Sequence, residues 1–146
     1  NHGFMPIVVK AVEQDEYDLW IKEKKAAAIA MAELTDKDWS AAELVERGES
    51  LYVTNCVACH QVNGQGIAGI FPGLVGSDVV LNDKAGQIEI LMEGIQGAAM
   101  NSFSYLSEVE MAAVITYTRQ SWGNAEKGDG EIVVPKDIVE YKQNKI

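Results

Sequence analysis

The feature that most restricts this chain is five residues long, Cys56-Val57-Ala58-Cys59-His60. It contains the only two cysteines in 146 residues and one of only two histidines. Cys-x-x-Cys-His is the pattern that attaches a c-type haem: two thiols add to the porphyrin vinyl groups, and the adjacent imidazole sits beneath the iron. The short spacing, at a helix end, puts both sulfurs on one edge of the macrocycle. Three other readings compete. A disulfide or thioredoxin-like redox pair wants a βαβ setting, which this helical sequence does not supply. A structural zinc site wants four ligands, and beyond this motif only His2 is available. The last reading is chance occurrence. Haem attachment explains all three residues at once.

Size and charge narrow the setting. The chain has room for one ordinary domain plus extensions, and its 47% hydrophobic content allows a packed core. A net charge of −10 argues against nucleic acid as a partner, because phosphate binding needs Lys and Arg to displace counterions. The same charge favours basic protein partners. No stretch approaches the roughly 20 apolar residues that span a bilayer. No basic start followed by an apolar run marks a secretion signal, and the first residue, Asn1, suggests a processed or excised chain.

The order of elements follows from composition and capping. Phe4–Val12 is β-branched and apolar, which predicts a strand. Asp15–Leu34 is charged and Ala-rich, which predicts a helix, and Thr35-Asp36-Lys37-Asp38 reads as a linker. Ser40-Ala41-Ala42-Glu43 is a capping box that opens a helix to about Asn55. Gly48 sits inside that helix, where glycine costs about 1 kcal/mol relative to alanine; close approach of another helix would explain it. The glycine-rich run after His60 suits a loop laid on a flat cofactor, and its interleaved Ile67, Ile70, Phe71, Leu74 and Val75 need apolar surroundings. A helix is expected over Lys84–Glu93. Another opens at the capping box Ser107-Glu108-Val109-Glu110 and runs to about Ser121, where Gly123-Asn124 stops it. The tail from Ala125 is polar apart from Ile132-Val133-Val134-Pro135, and is expected to lie along the surface or be partly disordered. The expected fold class is all-α, three main helices around the haem with an N-terminal strand and helix extension. Expected boundaries are 1–37, 38–124 for the haem domain, and 125–146 for the tail.

The ligand opposite His60 decides what the iron can do. Of five methionines, Met92 and Met111 fall within predicted helices and Met31 on the Ala-rich one, where packing accounts for them. Met100 lies in a non-helical stretch between two helices, from which a loop can aim its thioether at iron; Met92 is its main rival. Ligation by His60 and Met100 would leave no vacant site on iron and raise its reduction potential, so that the chain carries electrons and catalyses no bond-making step.

With these residues assembled, 40–124 resembles a class I cytochrome c domain. The matching features are Gly48 and Tyr52, the Cys56–His60 motif, Phe71-Pro72-Gly73-Leu74, the Met100 loop and Tyr117 on the last helix. The resemblance implies that the Pro72 carbonyl accepts the second ring N–H of His60, and that Gly48 packs against the final helix near Tyr117. Asn101 stands where that family often has proline after the ligand methionine.

Asn1-His2-Gly3-Phe4-Met5-Pro6-Ile7-Val8-Val9 resembles the end of the copper-binding motif of cytochrome oxidase subunit II, with His2 and Met5 spaced as two of its ligands. Some bacterial oxidases fuse a cytochrome c domain to the C-terminus of that subunit, and Arg119-Gln120-Ser121-Trp122-Gly123-Asn124 is similar to the close of the fusion. The resemblance implies one covalent haem c and a binuclear copper centre only in an intact parent subunit. In this chain His2 and Met5 would be former ligands, since the bridging thiolates are missing. The strand Phe4–Val12 would lack its sheet and be disordered, dock on the haem domain, or pair with another copy. Implied partners are an electron donor, either a small cytochrome or a quinol-oxidising complex, and other oxidase subunits. The parent would be membrane-anchored and this part would face the periplasm. Two alternatives stand beside it: a cytochrome subunit of a periplasmic alcohol or sugar dehydrogenase, and an open-site haem protein that binds a gas or reduces peroxide.

Overall fold

The computed structural model describes residues 8–145. Among the described residues seven helices follow in order: α1 (Gln14–Asp36), α2 (Ala41–Asn55), α3 (Val57–His60), α4 (Asp78–Asn82), α5 (Lys84–Glu93), α6 (Glu108–Gln120) and α7 (Pro135–Asn144). The described residues contain no strand, only an isolated bridge between Ile67 and Phe71. The fold is all-α, as the sequence predicts.

The chain divides into two units, one ending at Leu34 and the other beginning at Thr35. The first unit consists mainly of α1, whose residues are all at least partly exposed. Its Ala- and Lys-rich sequence carries the helix through Thr35 and Asp36, so the expected linker shortens to the residues before Ser40. The expected strand does not form over 8–12, which has no regular structure and leaves Val9 91% exposed. A lone strand leaves both rows of backbone groups unpaired. The rest of that segment, with His2 and Met5, lies outside the described residues.

In the second unit both capping boxes form. The Ser40 amide donates to Glu43 Oε2 at 2.9 Å and the Ser107 amide to Glu110 Oε2 at 2.9 Å, fixing the starts of α2 and α6. These two helices make the most extensive contact in the unit. They cross at Gly48, where an added Cβ would lie 2.1 Å from the Ala113 carbonyl oxygen and 2.6 Å from Tyr117 Cβ. One core cluster joins Tyr52, Val114 and Tyr117 to Trp122, Cys56, Val57 and Leu74. The other joins Ile88, Leu106, Met111 and Ile115 to Val133 and Ile138.

That second cluster corrects the expectation for the tail. Val133 and Ile138 are 0% exposed, and Thr116 Oγ1 both donates to the Val133 carbonyl and accepts from its amide, at 2.8 and 2.9 Å. Pro135 at the first position and Asp137, which accepts from the Val134 amide at 2.8 Å, start α7. Val133, Pro135 and Ile138 form the inner face of 125–145 and complete the core, with most of the segment's polar residues on its outer side.

Candidate haem site

The site begins where α2 ends. Cys56 closes α2 and α3 follows at once, so the motif occupies a single turn, with the Cys59 and His60 amides both donating to the Cys56 carbonyl at 3.2 and 2.9 Å. Both thiols are free and partly buried. Burial among apolar neighbours, and secondarily the nearby Cys59, pushes the Cys56 thiol up to about 11. That is the opposite of a redox-active cysteine, whose thiol is lowered to present a thiolate. A thioether carries no ionisable proton, so it suits the same apolar surroundings. Among the described residues no three of His, Cys, Asp and Glu converge to hold a metal ion, which leaves the zinc reading without ligands there.

His60 is oriented from the other side. Its Nδ1 lies 2.9 Å from the Pro72 carbonyl oxygen, which can only accept, so Nδ1 carries the proton and Nε2 is the nitrogen left to bind iron. Gly66 makes this contact possible. Its φ is +67°, and a Cβ there would lie 2.4 Å from the Phe71 carbonyl oxygen and 2.5 Å from that of Pro72. The Gly66 amide also donates to the His60 carbonyl at 2.9 Å, so one glycine touches both halves of the pair.

A layer of aromatic rings supports the loop. Tyr52 Oη donates to the Gln61 carbonyl at 2.7 Å. Tyr52, Tyr117 and Trp122 form a triangle with ring centroids 5.2 to 5.4 Å apart. The Trp122 ring covers Gly64, where a Cβ would lie 2.6 Å from it. The buried Asn124 accepts from the Gly76 amide at 3.0 Å and donates to the carbonyls of Leu74 and Thr118 at 3.2 and 2.9 Å, tying the Pro72 segment to the end of α6. The sequence marks Asn124 only as a helix stop; its side-chain role depends on partners far away in sequence.

Met100 lies on a different loop, between α5 and α6, and is partly buried. Its carbonyl accepts from the Ile95 amide at 2.9 Å, and the Phe103 amide reaches back to the Leu91 carbonyl at 2.7 Å. Met92 packs against the core cluster of Ile88, Met111 and Ile115, and its carbonyl accepts from Ser102 Oγ at 2.6 Å. Met111 is fully buried. Met31 is 38% exposed on α1, in the other unit. The structure thus joins His60 to Pro72 directly and leaves Met100 as the loop methionine of the haem unit.

The profile of the cytochrome c family matches residues 45–122, more than half of the chain. The chain belongs to the cytochrome c family. This cytochrome is 37% identical over 97 residues to cytochrome c-552 of Thermus thermophilus, spanning 57% of the chain and 73% of that protein. It is 34% identical over 92 residues to the cytochrome c subunit of a quinone-dependent alcohol dehydrogenase of Gluconobacter oxydans, of which it covers 19%. It is also 28% identical over 129 residues to cytochrome c oxidase subunit 2 of Alkalihalophilus pseudofirmus, covering 82% of the cytochrome and 35% of that protein. The family carries a covalent c-type haem and works as an electron carrier. The residues present fit that group: two free thiols one turn apart, one packed among apolar side chains, beside an imidazole whose Nδ1 is held by the Pro72 carbonyl. No helix among the described residues is long and apolar enough to cross a membrane.

Proposed function

We propose that this cytochrome is the electron-entry domain of a haem–copper terminal oxidase, fused to the C-terminus of its subunit II and facing the periplasm. One observation carries the reading. The match to oxidase subunit 2 spans 82% of the chain, longer than everything after Leu34, so it must include residues ahead of the haem unit. The c-552 and alcohol dehydrogenase matches span 57% and 56%. On this reading His2 and Met5 are two copper ligands of the parent subunit. A small cytochrome or a quinol-oxidising complex is the donor, and the binuclear copper centre the acceptor.

When bound, the haem supplies a one-electron iron couple. The chain does the rest. Cys56 and Cys59 would tether the ring, and His60, held by the Pro72 carbonyl, and Met100 would be the ligands to its iron. With both ligands in place the iron would have no position for an exogenous ligand, and rigid ligands would keep rearrangement small when charge moves.

Two measurements test this. In the haem-loaded ferric protein, Met100→Ala should abolish the near-infrared Met–iron band, while Met92→Ala retains it; the reverse result overturns the ligand assignment. The coding sequence upstream of Asn1 should contain Cys-x-x-x-Cys, and its absence overturns the oxidase setting. The second reading, a dehydrogenase cytochrome subunit, is favoured by the 34% identity to such a subunit, and that absence would favour it.

A further inference from the structure

We propose that α7 is a strap on the Met100 loop, gripping the helix on either side of it and so setting how readily Met100 leaves the iron. The inference rests on the reading of Met100 as an iron ligand. The loop is bounded by the last residue of α5, Glu93, and the first of α6, Glu108. Glu108 pairs with Lys142 of α7, and Glu93 with Lys145, the residue that caps the C-terminus of α7. Lys145 Nζ lies 3.3 Å from Glu89 Oε1 and 3.2 Å from Glu93 Oε1, and Lys142 Nζ lies 2.7 Å from Glu108 Oε1. Lys142 lies in the last turn of α7 and Lys145 caps its C-terminus, three residues on. The start of α7 is pinned as well, with Lys84 Nζ of α5 3.3 Å from Asp137 Oδ1.

The apolar side of α7 supports the same loop from beneath. Ile138 is fully buried in the core cluster that contains Leu106, and Tyr141, Phe103, Met92 and Leu91 pack against it. Phe103 and Leu106 belong to the loop itself. Release of Met100 requires the loop to lift, which breaks the bonds from Ile95 to Met100 and from Phe103 to Leu91. The loop hangs between α5 and α6, and α7 packs against both, as α4 does.

The test uses the haem-loaded protein and imidazole, which can bind ferric iron only after Met100 leaves. Each contact is a partly exposed ion pair worth a small factor, so Lys142→Ala with Lys145→Ala should speed imidazole binding about three- to tenfold. Hydrogen exchange at the Ile95 and Phe103 amides should quicken similarly, and added salt should shrink the difference. Lys136→Ala, exposed on the same helix and in no ion pair among the described residues, should leave both rates unchanged. Rates in the double variant within twofold of the unaltered protein, with the near-infrared Met–iron band present in both, overturn the strap alone. Absence of that band from the unaltered protein overturns the Met100 assignment and the strap together.

Discussion

At the residue scale the site depends most on a side chain that is missing. His60 keeps its orientation because the Pro72 carbonyl comes within 2.9 Å, and that carbonyl occupies the space that a Cβ on Gly66 would need. Alanine at this position meets two carbonyl oxygens at 2.4 and 2.5 Å and also carries the strain of a φ of +67°. Gly66→Ala should therefore destabilise the haem-loaded protein by about 2 kcal/mol or more, combining overpacking with left-handed strain. Its potential should also move in a defined direction. The hydrogen bond at Nδ1 makes the imidazole a better donor to iron and favours the ferric state, so weakening it should raise the potential. Urea titration and a redox titration of the same sample read the two effects. An unchanged potential beside lowered stability would mean that the His60–Pro72 pair survives by shifting elsewhere. The sequence shows a run of glycines after His60 without showing which one is indispensable. That depends on Phe71 and Pro72 folding back over it.

At the scale of elements, local signals were legible wherever the physics is local. A serine three residues ahead of a glutamate closes a box within one turn, and both boxes stand where the sequence puts them. Gly48 was legible as a helix contact because an unfavourable residue inside a helix needs a compensating packing reason. The tail was not. Its charged residues outnumber its apolar ones, and the few apolar positions are spread across a break in the helix pattern. Yet Pro135 followed by Asp137, then Ile138 and Tyr141, is a readable helix start with a narrow inner face. Arg119 was equally opaque: a cation near a helix C-terminus, in fact 2% exposed, that donates to the Val80 and Glu131 carbonyls at 2.9 Å and pairs with Asp129. These partners come from α4 and the tail, and no spacing rule links them. The burial of Ile138 gives a direct check. Ile138→Ala should cost about 2–4 kcal/mol in urea unfolding, as for any fully buried isoleucine. A cost below about 0.5 kcal/mol would be that of a surface residue and would return the tail to the outside of the domain.

For the whole molecule, the surplus of carboxylates raises the question of what acid does to it. Two effects oppose each other. Protonation reduces the net charge of −10 and relieves self-repulsion, which would stabilise the fold. The carboxylates that hold structure act the other way. Hydrogen bonding from Lys37, with the Ser40 amide and hydroxyl, lowers Glu43 from 4.5 to about 2. Lys142 lowers Glu108, and Ser107 lowers Glu110. At Asp129 burial acts upward, but the Glu131 amide and Arg119 outweigh it and the net shift is down. Each of these groups binds fewer protons folded than unfolded. Its contribution is therefore complete above the unfolded value near 4.5 for Glu and 3.8 for Asp, and disappears as pH falls through the lower folded value. Self-repulsion is spread over the surface and screened beyond about 8 Å at physiological salt, whereas each pair is a short contact that screening reaches less. The pairs should dominate at 0.15 M salt. The thermal midpoint of the haem-loaded protein should hold between pH 7 and 5 and fall steadily from about pH 4.5 toward 2. Glu43→Gln with Glu110→Gln should start lower and fall less steeply over that range, because two of the four groups that titrate have gone. A midpoint that rises on acidification from pH 6 to 4, and more steeply at low salt, would show that repulsion among unpaired carboxylates outweighs the helix caps and the tail.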